Sequence, residues 1–240
     1  ESGLVDQARA FGHYARLVQQ RVRGRRWDVV VATSSRLMTA SLAAWVAKRR
    51  DAMLYLDIRD LFTDTIKDVL GRNIALGFLP AFRLLELWTF RAARQTNVVS
   101  EGFLPHVLRV TLGRSPTVYT NGIDREFVEM DFTKSTSTGK PVVLYAGNMG
   151  EGQGLDRIVS DVAAARQDVH FRLIGGGGRR RVLIESVERL SLSNVEILNS
   201  VARDALMDAY CHADVLFLHL NSYKAFRKVL PSKIFEYAAT

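Results

Sequence analysis

Val142-Val143-Leu144-Tyr145-Ala146-Gly147-Asn148-Met149-Gly150-Glu151-Gly152-Gln153-Gly154-Leu155 is the stretch on which the fold turns. Its first five residues read as a buried strand, being short, apolar and rich in β-formers. Four glycines within 147–154 follow as a loop, and helical spacing of apolar residues runs from Leu155 to Arg166. Strand, glycine loop and helix together are the repeating unit of a parallel sheet covered by helices. The alternation continues downstream. A strand over Val169–Ile174 leads into Gly175-Gly176-Gly177-Gly178 and a helix through Leu190. A strand at Val195–Leu198 precedes a helix over Arg203–Cys211, and a strand at Val215–His219 precedes a last helix opening near Pro231-Ser232.

Upstream the same pattern predicts a helix to about Arg23, a strand at Asp28–Thr33, a helix at Leu37–Arg50 and a strand at Met53–Asp57. A helix at Ile74–Arg94, interrupted by Gly77 and Pro80, precedes a strand at Asn97–Ser100, a helix at Phe103–Leu112 and a strand at Thr117–Tyr119. Asn121-Gly122 signals a turn and the polar run Thr133–Pro141 a loop, so a boundary falls between two units. The expected architecture is α/β with two Rossmann-like domains, residues 1–125 and 126–240. The first has no leading strand and the second stops just past a helix, so both ends read as truncated.

With 48% hydrophobic and 24% charged residues, the composition excludes a disordered or fibrous chain. The single cysteine, Cys211, excludes an internal disulfide framework or a cysteine-based metal cluster, and such a residue usually packs as a small hydrophobe. The five histidines show no metal-ligand spacing. No apolar run approaches the roughly 20 residues needed to span a bilayer, and Glu1–Leu4 lacks a signal peptide's start. A cytoplasmic protein is expected.

The net charge of +8 is unevenly placed. Residues 1–125 hold 19 Lys and Arg against 11 Asp and Glu, whereas 126–240 hold 14 of each. Arg9, Arg16, Arg21, Arg23, Arg25 and Arg26 crowd the first 26 residues, with Phe11, Tyr14, Leu17 and Val18 at helical spacing among them. Such a helix either lies on an anionic lipid surface or another phosphate-rich partner, or is simply a solvated face. A nucleic-acid partner is disfavoured by the neutral second half and by the lack of a basic face interleaved with aromatics.

Candidate chemistry lies where strands meet helices, because ligands of open parallel sheets bind at the strands' carboxyl ends. The loop Gly147–Gly154 lets the backbone approach a diphosphate closely. No acidic residue closes the strand Val169–Ile174, so an NAD-type site is not expected. Gly175–Gly178 with Arg179-Arg180-Arg181 is either a second diphosphate contact or a basic surface turn. Pro231 and Ser232 suit a helix start, Ser232 as its cap. Lys233 supplies a charge there, and Glu236, at i+3, borders the same cleft or forms only a surface ion pair with it. In the first half, Asp57-Ile58-Arg59-Asp60-Leu61-Phe62-Thr63-Asp64 places three carboxylates and an arginine after a strand. One of them could orient an acceptor hydroxyl or take its proton, or could cap a helix.

The segments WDVVVATS (27–34), LDIRDLFTD (56–64), VVSEGF (98–103), TNGID (120–124), LYAGNMGEGQGLD (144–156) and LPSKIFEY (230–237) resemble, in this order, family 4 glycosyltransferases of GT-B fold. The subgroup they are most similar to makes bacterial surface polysaccharides, including the N-acetylfucosaminyl and colanic acid transferases. The resemblance implies a retaining enzyme that needs no metal or cofactor and holds a nucleotide sugar, UDP-linked by preference, on its second domain. It implies a growing saccharide, linked to a polyprenyl diphosphate, as acceptor, and a peripheral place at the inner membrane face. It implies that Glu236 holds the ribose, that Ser232 and Lys233 hold the diphosphate, and that Gly147, Asn148, Gly150, Gln153 and Gly154, with Gly175 and Arg180, surround the phosphates. Asp60, with Glu236 the expected catalytic pair, would face the acceptor beside Arg59, Ser100 and Glu101. Two departures stand out: Asn148 and Gln153 replace cations of many relatives, and Lys228 stands where relatives with an E-x7-E pattern carry the first glutamate. Alternatives are a nucleotide-sugar epimerase of the same fold and a non-catalytic nucleotide-binding fragment.

Overall fold

The computed structural model describes residues 4–34, 36–64, 72–132 and 139–240. Its contacts divide the chain into two units, 1–120 with 223–230, and 121–222 with 231–240. The division falls at Thr120/Asn121, and the segment Tyr223–Leu230 packs with the first unit.

In the first unit, α1 (Leu4–Val22), β1 (Val29–Thr33), α2 (Leu37–Arg50), β2 (Met53–Ile58), α3 (Arg72–Ala92), β3 (Gln95–Val98), α4 (Leu104–Val110) and β4 (Thr117–Val118) follow one another. The four strands form a parallel sheet in the order β1-β2-β3-β4. Leu54, Leu56 and Ile58 alternate into the core of β2, where they meet Ala40, Ala44 and Ala47 of α2. The small alanines let the helix lie close to the sheet, and each fully buried leucine contributes about 1.5–3 kcal/mol. Ser41 and Thr89 join α2 to α3 by a hydroxyl pair at 2.8 Å.

Three expectations shift. The helix α3 runs unbroken through Pro80, which is exposed and leaves one rung of the helix without its N–H donor. The strand expected at Asn97–Ser100 lies at Gln95–Val98, because Ser100 leaves the ladder and accepts the Gly102 N–H at 3.3 Å to start a 3₁₀ turn, Glu101–Phe103. A second 3₁₀ turn, Lys224–Lys228, had no counterpart in the sequence pattern. It is held in the first unit by Ser100 Oγ donating to Lys228 O (2.6 Å) and by Lys228 Nζ against Asp64 Oδ2 (2.6 Å). Gly102 permits this approach: a Cβ there would stand 2.5 Å from Lys228 O.

In the second unit, α5 (Arg125–Glu129), β5 (Val142–Ala146), α6 (Leu155–Ala165), β6 (His170–Ile174), α7 (Arg180–Arg189), β7 (Val195–Leu198), α8 (Arg203–Cys211), β8 (Val215–Leu216) and α9 (Lys233–Ala239) form a sheet in the order β7-β6-β5-β8, again all parallel. Tyr145, Leu173 and Leu183 are buried together with Met149, Leu155 and Val159. The short helix α5, not expected from sequence, is fixed by Arg203, which pairs with Asp124 and with Glu126 (3.0 Å) and lies over the Phe127 ring. The strand expected to reach His219 pairs only over Val215–Leu216; the chain then leaves the ladder because His219 and Asn221 bind the glycine loop instead. Most of the predicted loop 133–141 lies outside the described residues.

Candidate nucleotide-diphosphate cleft

The two glycine loops of the second unit interlock. Gly147, at φ 147°, donates its N–H to Ile174 O at 2.8 Å, and Gly175, at φ 140°, is so close that a Cβ on it would stand 2.0 Å from Gly147 O. Both conformations belong to glycine. Met149 N donates to Gly176 O (2.7 Å) and Arg179 N to Met149 O (2.9 Å), so the chain after β5 and the chain after β6 form one layer. Arg179 strengthens the tie with Asp156 (2.5 Å) and Glu151 (3.2 Å).

Over this layer lies a cleft of about 450 Å³. It is lined by Ala146, Gly147 and Asn148 at the end of β5, Ile174, Gly175 and Gly176 at the end of β6, Ser200, Val201 and Leu206, and Tyr210, Lys233 and Glu236 from α8 and α9. The volume lies in the range of small-molecule sites. The Lys233 side chain folds down against Gly147, where a Cβ would come 2.3 Å from Lys233 Cε. Its ammonium sits 6.0 Å from the centre of the Tyr145 ring. Burial pulls the lysine's pKa below its ordinary value, opposed by the nearby Glu236. No ion pair joins Lys233 and Glu236 among the described residues; Glu236 accepts a hydrogen bond from Tyr210 OH at 3.3 Å. Burial is also the main cause that raises the Tyr210 phenol and lifts that of Tyr237 to about 12.

Of the expected donor residues, Gly147, Asn148, Gly175, Lys233 and Glu236 therefore line one cleft. Gly150, Gln153 and Gly154 lie in the adjoining loop, where Gln153 Oε1 accepts from Gly150 N–H and Asn148 Nδ2, both at 3.1 Å. The two residues that replace family cations thus bond to each other. Arg180 reaches Ile197 O at 3.5 Å, and Arg181 pairs with Glu185, so of the three arginines only Arg179 engages the loop by side chain. Ser232 is exposed and makes no side-chain capping bond, contrary to the expectation, because its own backbone is already helical at φ −58°, ψ −32°. Two residues escaped the sequence reading. His219 Nδ1 lies 2.7 Å from Gln153 O, and because a carbonyl only accepts, that nitrogen carries the proton. Asn221 Nδ2 donates to Glu151 O at 2.5 Å and its N–H to Gly152 O at 2.8 Å. The pair straps the glycine loop from the side.

In the first unit, the loop after β2 carries the acceptor-side candidates. Asp57 accepts from Arg59 (2.7 Å) and Asn97 (2.8 Å), and Asn97 in turn accepts Tyr119 N–H at 2.8 Å. Asp60 is half-buried, and its backbone carbonyl accepts from Ser34 Oγ at 3.3 Å. Ser100 is buried and already bonded to Lys228 O, whereas Glu101 is exposed. Below the loop, Thr63 donates to the buried carboxylate of Glu86 at 2.9 Å, which His106 also contacts at 3.0 Å.

Two parallel, helix-covered sheets, one in each unit, are the architecture of a GT-B fold, and comparison with known proteins agrees. Residues 140–240 match the family model of group 1 glycosyl transferases. The chain is similar to an Escherichia coli (strain K12) protein described as a colanic acid biosynthesis glycosyl transferase, WcaI: 30% identical over 96 residues, 40% of this chain and 23% of that one. Among solved structures it superposes on Anabaena HepE in complex with UDP-glucose (TM-score 0.66, 15% identity, 94% of this chain and 60% of that one). It also superposes on the lipopolysaccharide outer core galactosyltransferase WaaB (TM-score 0.54, 10% identity, 90% and 57%). The chain thus spans 23% of the curated relative it matches and about three fifths of these solved chains. The resemblance read from the sequence holds for the fold, and residues 140–240 match the family model.

Proposed function

We propose that the chain is part of a retaining glycosyltransferase that moves a hexose from a nucleotide-diphosphate donor, preferably a UDP-sugar, to a growing lipid-linked saccharide. One observation carries this reading: Lys233 and Glu236 border a single cleft also lined by the interlocked glycines 147 and 175. The cleft supplies what a nucleotide diphosphate needs. Gly147 and Gly175 leave room for phosphate oxygens beside the backbone, Lys233 neutralises the leaving diphosphate, and Glu236, held by Tyr210, accepts ribose hydroxyls. The UDP preference draws support from the UDP-glucose in the HepE structure. On the acceptor side we assign Asp60 to orient the incoming hydroxyl, with Arg59, Ser100 and Glu101 around it. Charge stabilisation by Lys233 is the role a metal would otherwise fill, so metal-independent transfer is proposed. Among the described residues no helix is long and apolar enough to cross a membrane; attachment at the inner membrane face is proposed through the basic first unit.

A thermal-shift panel of UDP-, GDP-, ADP- and TDP-sugars tests the donor reading. A ligand at about 100 times its Kd adds about 2.7 kcal/mol to the folded state, or roughly 5–10 °C in a protein of this size. One nucleotide class should give that shift, and Lys233→Ala and Glu236→Ala should each abolish most of it. The same small shift for all four, unchanged in both variants, would overturn the assignment.

A further inference from the structure

A second cleft lies at the opposite edge of the first sheet from the loop that carries Asp60. The helices α1 and α2 end at Val22 and Arg50, just before β1 and β2 begin, so their carboxyl ends sit at the sheet's N-terminal edge. Between them opens a hollow of about 500 Å³ lined by Arg16, Arg23, Arg49, Arg50, Gln19, Gln20 and Trp45, with Val22 and Val46 beneath. Arg49 stacks on Trp45, its guanidinium 4.9 Å from the ring centre. None of the four arginines has an ion pair among the described residues, and no carboxylate lines the hollow.

Cations near a helix's carboxyl end are favoured by its dipole, which explains one or two of these arginines. It does not explain four around a single concavity. Like charges gathered there repel one another, and beyond the partial negative charge of the two helix ends no carboxylate among the described residues lines the hollow to offset them. Arginine forks and glutamine amides give the hollow many N–H donors, the set that surrounds phosphate oxygens. We propose that this cleft between α1 and α2 is a binding site for a phosphate-bearing ligand, separate from the nucleotide-diphosphate cleft. The phosphate belongs either to a soluble di- or polyphosphate or to a lipid headgroup, and both present the same multiply charged oxygens. The site stands on its own lining and does not rest on the donor reading.

Calorimetric titration with sodium pyrophosphate at low salt, with nucleotide absent, tests it. Saturable one-site binding is expected, weakened at least tenfold in the double variant Arg16→Gln/Arg49→Gln and unchanged in Lys233→Ala. These arginines are exposed, and an unchanged thermal midpoint will confirm that the variant folds. A parallel arm uses phosphatidylglycerol and phosphatidylcholine vesicles. Sedimentation with the first only, lost in the double variant and displaced by pyrophosphate, assigns the site to a lipid headgroup; pyrophosphate binding without vesicle binding assigns it to a soluble ligand. Absence of both, or binding of either that the double variant leaves intact, overturns the proposal, as does binding lost only in Lys233→Ala.

Discussion

Single residues in the second unit do two kinds of work, and each can be tested alone. Gly175 is structural: it combines φ 140° with a neighbouring carbonyl 2.0 Å from where a Cβ would stand. An alanine there must strain its own backbone and push the two loops apart. Gly175→Ala is expected to lower stability by about 1–3 kcal/mol from strain alone, read by denaturant unfolding, and to weaken nucleotide binding further. Gly176→Ala, with open space around its Cβ, is the control for stability and should change the unfolding midpoint little. Tyr237 bears on stability through its proton. Burial raises its phenol from 10.0 to about 12, so the folded state holds that proton more tightly than the unfolded state. The associated stability is complete below pH 10, declines between pH 10 and 12, and is gone above. Alkaline unfolding followed by phenolate absorbance should show this loss, and Tyr237→Phe should flatten that part of the profile.

At the scale of elements, legibility in the sequence follows the range of the interactions. The strand Val142–Ala146, its glycine loop and the helix at Leu155 announce themselves by local period and by glycine, and the structure has them within a residue. Gly147, Lys233 and Glu236 were legible for the same reason, as turn glycines and as a motif at helical spacing. The ladder of β8 stops early because His219 binds a carbonyl 66 positions earlier, which no local pattern reports. The turn Lys224–Lys228 joins the first unit through Asp64, 164 positions away, so its lysine reads from sequence only as a departure from the E-x7-E pattern. The structure gives that lysine a partner. The ion pair is part-exposed, and Lys228→Ala should cost no more than about 1 kcal/mol. Gly102→Ala is the stronger perturbation, since its Cβ would meet the Lys228 backbone at 2.5 Å and displace the whole turn. Limited proteolysis should cut 223–230 faster in Gly102→Ala than in Lys228→Ala; equal rates would mean that the charge, and not the close packing, holds the segment.

Across the whole molecule, the structural division sharpens the charge asymmetry seen along the chain. With residues 223–230 counted in it, the first unit carries 21 Lys and Arg against 10 Asp and Glu, a net of +11. The second carries 12 against 15, a net of −3. In the proposed donor site a nucleotide diphosphate would be held against that unit's net charge, by Lys233 and by the close approach that the glycine backbone allows. An anion attracted to the first unit is drawn by a broad positive field, which salt screens beyond about 8–10 Å at physiological ionic strength. The two kinds of binding should respond differently to salt. Hydrogen exchange with a bound UDP-sugar should slow at 147–154, 175–180 and 233–236, and much of that protection should persist when salt is raised to about 0.5 M, because contacts at hydrogen-bond distance are little screened. Pyrophosphate should slow exchange at 16–23 and 45–50 at low salt, with protection that fades over the same range. Protection of both regions by both ligands, lost in parallel as salt rises, would mean that the overall field governs anion binding and that the cleft of the second unit adds no selectivity of its own.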